Sequence, residues 1–191
     1  MKKRRRAKYR EITLSILEFV ASSAEMIALS FLDQKRIMRW YKYGHPLELE
    51  SERFFEYLRR LEKRGYVKIK IRDKSCSVRL TKKGEIKLIE NNKDNIIDGK
   101  WRMISFDIPE KLKNRRNLFR SAIKRIGFRQ VQKSLWACPF IKADKIEKII
   151  NYYKVKKFVC YLIVEKTDID YYLKELFSDD LKKQQKISRK K

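Results

Sequence analysis

Residues 101–140 read WRMISFDIPEKLKNRRNLFRSAIKRIGFRQVQKSLWACPF, and their pattern predicts a strand, a helix and a second strand. The first strand covers residues 101–106 and ends on a carboxylate, Asp107. It must end there because Pro109 has no N–H group and restricts Ile108 to extended geometry. The stretch therefore places an acidic side chain at the end of a predicted strand, directly before a turn.

A basic helix is predicted from Leu112 to Ile126, with Gly127 where a helix C-terminal glycine belongs. One face is apolar at helical spacing, and basic residues cover the remaining surface. The apolar positions are Leu118, Phe119, Ala122, Ile123 and Ile126, and the basic positions are Arg115, Arg116, Arg120, Lys124 and Arg125. The second strand begins at Phe128.

Three further elements follow in this half of the chain: a strand around residues 138–141, a helix at 144–153 and an apolar strand at 157–164. Together with the opening stretch they give the βαββαβ order of a ferredoxin-like fold. A short helix is expected at residues 171–177. Residues 179–191 are expected to form a basic tail, in which the lysine-rich residues 181–191 are mobile.

The first half of the chain predicts the element order of a winged helix-turn-helix. A long helix at residues 12–32, a second at 34–43 and a third at 51–64 precede a β-hairpin at 66–80 and a helix at 81–90. The third helix is the candidate recognition helix, because Phe54, Leu58 and Leu61 mark a buried side and leave a charged side opposite.

The exposed faces predicted for the third helix and the hairpin are rich in basic residues. A recognition helix enters the major groove, and a neighbouring hairpin holds the phosphate backbone. The candidate DNA-binding residues are Arg53, Glu56, Arg59, Arg60 and Lys63 on the helix, and Lys68, Lys70, Arg72, Lys74 and Arg79 on the hairpin. Two alternatives stay open: a solvated charged face, or a winged helix that binds protein.

Composition supports a polyanionic partner. The 191 residues contain 50 Lys plus Arg against 24 Asp plus Glu, a formal net charge of +26. Such an excess favours encounter with nucleic acid, and we expect double-stranded DNA, with RNA as an alternative. A hydrophobic content of 43% is that of a folded protein and not of a basic tail alone.

Neither a membrane protein nor a zinc protein is expected. The apolar run at residues 12–32 is interrupted along one side by Glu11, Ser15, Glu18, Ser22 and Glu25, as in a soluble helix. No signal peptide is evident. Cys76, Cys138 and Cys160 are widely spaced and are expected to be small buried or half-buried side chains. His45 is the one histidine, so no zinc site can be assembled. Scattered thiols suit a reducing cytoplasm.

These elements divide the chain into an α+β protein of two domains. Residues 1–10 are predicted to be a disordered basic arm, and residues 11–90 a winged-helix domain. The polar, turn-rich residues 91–100 are the predicted linker. A ferredoxin-like dimerisation domain is predicted at residues 101–178, before the basic tail at 179–191.

Two families resemble this sequence. The pattern FDIPE, then RR…LFR, then IGF…VQKSLW resembles the ferredoxin-like domain of the small CRISPR adaptation endonucleases. It also resembles the central domain of the phenylacetate-responsive repressors (PaaX type), which carry the same domain behind a winged helix. The stretch FFEYLRRLEKRGYVKIKIRDKSCSVRLTKKG resembles the recognition helix and wing of winged-helix proteins. The combination implies a dimeric transcriptional repressor of PaaX type that needs no cofactor to bind DNA.

The endonuclease resemblance implies a different role for Asp107. Two copies of the domain would pair, and two Asp107 carboxylates would share a Mg²⁺ ion that activates water against a phosphodiester. Such a protein would be a metal-dependent CRISPR-adaptation endonuclease or integration-complex component. Alternatively, Asp107 caps the turn or pairs with Arg115 or Arg116. No residue identifies a pocket for the acyl-CoA effector of the repressors. Those proteins also continue into a further C-terminal region, so we do not expect effector sensing of that kind.

Overall fold

The computed structural model describes residues 2–22, 29–30, 51–72, 75–91 and 95–182. The chain divides into two compact units, Met1–Asn91 and Asn92–Lys191. In the described part of the chain, no helix is both long enough and apolar enough to cross a membrane.

The first unit combines three described helices with a small antiparallel sheet. Its elements are α1 (Lys2–Ser22), β1 (Leu29–Ser30), α2 (Ser51–Lys63), β2 (Val67–Arg72), β3 (Ser75–Leu80) and α3 (Lys82–Ile89). The strands lie in the order β1-β3-β2, so the hairpin strand β3 is central. The core forms where Ile16 and Leu17 of α1 meet Phe54, Leu58 and Leu61 of α2, all buried.

Three predictions for this unit are wrong. Residues 2–10, expected to be disordered, are helical and continuous with the rest of α1. The first helix does not reach residue 32, because it ends at Ser22 and Leu29–Ser30 pair with β3. That pairing joins residues far apart in the chain, which local periodicity cannot reveal. Ser15, expected on the wet side of this helix, is buried. The helix predicted at residues 34–43 lies outside the described residues.

The second unit has the ferredoxin-like fold, and the predicted α+β class is confirmed. Its elements are β4 (Ile97–Phe106), a 3₁₀ turn (Glu110–Leu112), α4 (Lys113–Arg125), β5 (Arg129–Gln130), β6 (Leu135–Phe140), α5 (Ala143–Tyr153), a second 3₁₀ turn (Lys156–Phe158), β7 (Val159–Val164) and α6 (Asp170–Leu176). Every described strand pair is antiparallel, in the order β5-β6-β4-β7.

Successive side chains of β4 point to opposite faces of the sheet, and other elements pack on both faces. Phe106 packs edge-to-face on Phe119 of α4, with ring centroids 5.3 Å apart. On the opposite face, Trp101 packs against Phe177, and its indole N–H donates to Asp170 Oδ1 at 2.8 Å. Helix α6 is therefore part of the core and not an appendage.

Three details of this unit, two element boundaries and one exposed side chain, correct the predictions. Residues 97–100, expected in the linker, belong to β4. Residues 179–182, expected in the basic tail, are helical, and Leu181 packs against the core that contains Trp101 and Phe177. Leu118, expected on the buried face of α4, is 54% exposed, because Phe119, Ala122 and Ile123 occupy the centre of that face.

An ion pair between the buried Arg102 and the more exposed Asp98 holds the start of β4. Arg102, with a side chain only 5% exposed, donates to both Asp98 oxygens, with Nη2 2.5 Å from Oδ2. The hydrogen bond from Arg102 lowers the pKa of Asp98 to about 2, below the ordinary value of 3.8. Because the folded-state pKa is the lower one, this carboxylate stabilises the fold above about pH 4, and the contribution disappears as the pH falls through 2.

We therefore expect Asp98→Ala to lower the free energy of unfolding by about 1–3 kcal/mol near pH 6, the cost of leaving a buried polar partner unpaired. The difference from the wild type should shrink towards pH 2. Urea unfolding between pH 2 and 7 measures it. Asp179→Ala, which removes an exposed carboxylate, is the matched control. A pH-independent difference would show that the ion pair is not its source.

Candidate nucleic-acid interface

The outward side of α2 carries the charged residues that the sequence assigned to DNA. Phe54, Leu58 and Leu61 turn into the core, so the other side of the amphipathic helix faces solvent. All five candidates on this helix are exposed: Arg53, Glu56, Arg59, Arg60 and Lys63. Four of the five are cationic, which suits a polyanion.

Arg60 is oriented by its own helix. Its guanidinium lies 2.5 Å from Glu56 Oε1, and its Cζ lies 5.7 Å from the Tyr57 ring centroid. The side chains of Arg60 and Glu56 are 51% and 58% exposed, so the ion pair contributes little stability. A phosphate or a base edge can therefore compete for Arg60 at small cost.

The hairpin presents a second basic face. In the register of β2 and β3, Lys68 lies directly opposite Arg79, so their side chains share one face of the ribbon. Lys70 lies on the same face, and all three side chains are exposed. Val67 and Val78 are buried. Of the remaining candidates, Arg72 is the last residue of β2 and Lys74 lies outside the described residues.

The hairpin is tied to α2 by hydrogen bonds across the connecting turn. The Ile69 N–H donates to Glu62 Oε1 at 2.8 Å, and the Tyr66 N–H donates to the Leu61 carbonyl at 2.9 Å. Gly65, at the centre of the turn, has φ of +73°, which favours glycine. Helix and hairpin therefore present their basic faces as one rigid unit.

Sequence reasoning missed an aromatic contact beside this surface. Tyr9 of α1 packs on Tyr57 of α2, and the Arg64 guanidinium lies over the Tyr9 ring at 4.9 Å. The sequence does contain a signal for the burial of Tyr9. Tyr9 precedes Ile12 and Ile16 by three and seven residues, and so extends their apolar stripe along the helix.

Asp107 is one of the residues that line a separate cleft in the second unit. The cleft encloses about 1010 Å³ and is lined by four cationic residues, Arg116, Arg120, Lys133 and Lys157. The Asp107 N–H donates to the Phe158 carbonyl at 3.0 Å, which joins the end of β4 to the turn before β7. Its side chain is exposed.

Arg116, one of the two arginines that line the cleft, pairs with Glu110 and not with Asp107. Arg116 Nη2 lies 2.6 Å from Glu110 Oε2, and its Nη1 donates to the Ile108 carbonyl at 3.1 Å. The hydrogen bond from Arg116 lowers the pKa of Glu110 below its ordinary value. The alternative in which Asp107 pairs with Arg115 or Arg116 is therefore wrong. Within the residues described, the Asp107 carboxylate has no ion-pair partner.

A single chain does not fit a Mg²⁺ ion at this position. Mg²⁺ prefers several oxygen ligands, and the cleft supplies only the Asp107 and Glu110 carboxylates among four cations. Across the described segments, no group of three or more His, Cys, Asp or Glu residues could hold a metal. Metal chemistry at Asp107 would need further ligands from outside one chain.

The two thiols of the second unit differ in environment. Cys138 is buried in β6, and burial raises the pKa of its thiol to about 11, so it stays protonated. Cys160 of β7 is exposed and lines the cleft, whereas a buried or half-buried position was expected. Both thiols are free.

Comparison with known proteins adds one match. Residues 94–173 match the family described as PaaX protein central Cas2-like domain. No curated protein matches the chain. The matched range begins before β4 and extends into α6, so it covers the βαββαβ elements on both sides of Asp107. Residues 94–173 therefore resemble the central, Cas2-like domain of PaaX proteins, and their fold is ferredoxin-like.

Proposed function

We propose that this protein is a DNA-binding transcriptional regulator of PaaX type, acting as a dimeric repressor. The observation that carries the proposal is the pair of basic faces on α2 and the β2–β3 hairpin, held together by the turn at Gly65. A chain that combines this surface with a PaaX-type central domain is best explained as a regulator that reads double-stranded DNA.

The two basic faces have different tasks in this proposal. Arg53 and Arg60 on α2 enter the major groove, where a guanidinium can reach guanine edges or phosphates. Lys68, Lys70 and Arg79 on the hairpin neutralise backbone phosphates and set the orientation of the protein without reading sequence. Binding needs no metal or cofactor.

The second unit supplies dimerisation in this proposal. β7 pairs only with β4 among the described strands, so its other edge is open. This edge strand also exposes Leu162 (42%) and Ile163 (55%). Two copies joined here would present two α2 helices to repeated half-sites. We place the protein in the cytoplasm, in keeping with the free thiols of Cys138 and Cys160.

A second candidate function is a metal-dependent endonuclease of the CRISPR-adaptation type. The observation that favours it is the exposed Asp107 carboxylate, which stands at a cleft beside four cations. One carboxylate is an incomplete ligand set, so this activity requires a second Asp107 from a paired chain. An adaptor that binds RNA is the third candidate, supported only by the excess of basic residues.

Titration of labelled duplexes distinguishes these functions. Upstream DNA of the gene, a scrambled duplex and a duplex RNA are each incubated with the protein in Mg²⁺ or in EDTA. Native gels report binding and denaturing gels report cutting. We expect an upstream-selective shift with intact DNA in both buffers, for the wild type and for Asp107→Ala alike.

Contrary results point to the other candidates. Cutting that requires Mg²⁺, is lost in Asp107→Ala and survives in Asp179→Ala would make the protein a nuclease. Asp179 is exposed like Asp107 and matches its charge. Tighter binding of duplex RNA than of duplex DNA would identify the adaptor.

A further inference from the structure

The N-terminal end of α1 carries the highest density of positive charge in the first unit. Residues 2–10 read KKRRRAKYR, so seven of nine side chains are Lys or Arg. These residues are the first turns of α1, which continues without a break into the core residues Ile12 and Ile16. The charges therefore belong to a helix whose later turns are packed in the core, and not to a disordered arm.

Tyr9 fastens this segment to α2. The Tyr9 and Tyr57 rings lie 5.4 Å apart at 39°. Arg64 Cζ lies 4.9 Å from the Tyr9 centroid, and Arg60 Cζ lies 5.7 Å from the Tyr57 centroid. Two rings between two guanidiniums form one stack, and each cation–π contact contributes about 0.5–1 kcal/mol at an exposed site. We call these four residues the Tyr9 stack.

Arg10 fastens the same point of the helix to a second element. Its Nε donates to Asn91 Oδ1 at 3.0 Å, and the Asn91 amide donates to the Lys87 carbonyl of α3 at 2.7 Å. The chain at residues 9 and 10 is thus held on two sides, by α2 and by α3. Because a helix rises about 1.5 Å per residue, residues 2–8 extend the basic segment by roughly 10 Å beyond these anchors.

Holding these charges beside α2 is unfavourable without a polyanion. Arg60 and Arg64 already concentrate positive charge there, and adding the basic segment increases like-charge repulsion. Tyr9 lies between Lys8 and Arg10 in the chain, and Arg64 Cζ is 4.9 Å from its ring centroid, which is within the Debye length of about 10 Å at 0.1 M salt, so screening does not remove all of this cost. A tail that only improved solubility would not need the Tyr9 stack.

We infer that residues 2–10 are a second phosphate-binding element, which contacts the backbone of the duplex held by α2 and lengthens the bound site on one flank. The inference rests on the proposed function of α2 as the recognition helix. The ligand is the phosphodiester backbone, so this element adds affinity and salt dependence without adding sequence preference. The Tyr9 stack sets where on the duplex the element binds.

Three variants of the full chain test this inference. Lys2, Lys3, Arg4, Arg5 and Arg6 are replaced together by Gln, a good helix former, which leaves the buried residues of α1 untouched. Tyr9→Leu removes the stack and keeps every charge. Tyr9→Phe, the matched control, retains the ring. Each variant is titrated on a duplex selected by the wild type from a random pool, between 50 and 200 mM salt, and examined by hydroxyl-radical footprinting.

We expect the five-fold Gln variant to lower the salt slope by about 0.9 for each phosphate that the helix no longer neutralises, and to shorten the footprint on one flank. Tyr9→Leu should shorten the same flank, whereas Tyr9→Phe should match the wild type. Unchanged slope and footprint in the Gln variant would overturn the inference while leaving α2 as the recognition helix. A wild type that selects no duplex would overturn both the inference and the proposed function.

Discussion

Substituting Arg60, Lys68 and Arg79 together by alanine should lower the affinity for duplex DNA on the order of 1000-fold at 0.1 M salt. The three side chains come from α2, β2 and β3, and all are exposed on the two basic faces. A hydrogen bond to a charged group contributes from about 1.5 kcal/mol, so removing three bonds to phosphate approaches 4.5 kcal/mol, or about three factors of ten.

The salt dependence separates the removal of specific phosphate bonds from a general decrease in charge. Each neutralised phosphate adds about 0.9 to the slope of log affinity against log salt, so the slope of the triple variant should be smaller by about 2.7. Fluorescence anisotropy between 50 and 200 mM salt measures both quantities. Lys148, Lys156 and Lys166 are exposed in the second unit, and their joint substitution removes the same charge.

The control variant should keep the slope of the wild type, because its lysines belong to neither basic face. Equal decreases in affinity for the two variants would mean that DNA responds only to net charge, and that α2 and the hairpin have no special role. A flat salt response of the wild type would contradict phosphate binding altogether.

Replacing Gly84 by valine should destabilise the first unit by about 3 kcal/mol or more. A Cβ at this position would lie 2.2 Å from the Tyr66 carbonyl oxygen and 2.9 Å from Leu80 Cδ2. The carbonyl cannot easily move, because it accepts a hydrogen bond from the Thr81 N–H at 3.0 Å. Overpacking against a fixed backbone exceeds the usual cost of about 1–3 kcal/mol for a strained core.

The close approach of Gly84 to the Tyr66 carbonyl also connects stability to the proposed DNA binding. Thr81 caps α3 by accepting a hydrogen bond from the Gly84 N–H at 3.1 Å, and its hydroxyl donates to the Gly65 carbonyl at 2.6 Å. Displacing Gly84 would therefore disturb the turn that aligns the hairpin with α2. We expect Gly84→Val to weaken DNA binding at temperatures where the protein is still folded.

Urea unfolding followed by circular dichroism measures the stability change. Gly99→Ala is the control, because its Cβ would meet nothing within 4 Å and only the backbone conformation, φ of +79°, is strained. That strain costs about 1–2 kcal/mol. A Gly84→Val protein no less stable than Gly99→Ala would show that the close approach of Tyr66 is relieved by an inexpensive shift.

Helices and strands that are determined by residues close together in the chain were predictable from the sequence. The candidate recognition helix was expected at residues 51–64, and a helix is found at Ser51–Lys63, because the apolar spacing and the following glycine are signals within one helix. The strand that ends at Asp107 was equally visible, because Pro109 restricts the chain before it. The βαββαβ order follows from such local patterns, and the family match agrees with it.

Contacts between elements distant in the sequence were decided only by the tertiary structure. The sequence alone determined a basic, two-domain α+β protein with a charged helix and hairpin. It did not determine that β1 pairs with β3 or that Tyr9 packs on Tyr57. Periodicity records which face of an element is buried, whereas the partner that buries it depends on how the whole chain packs.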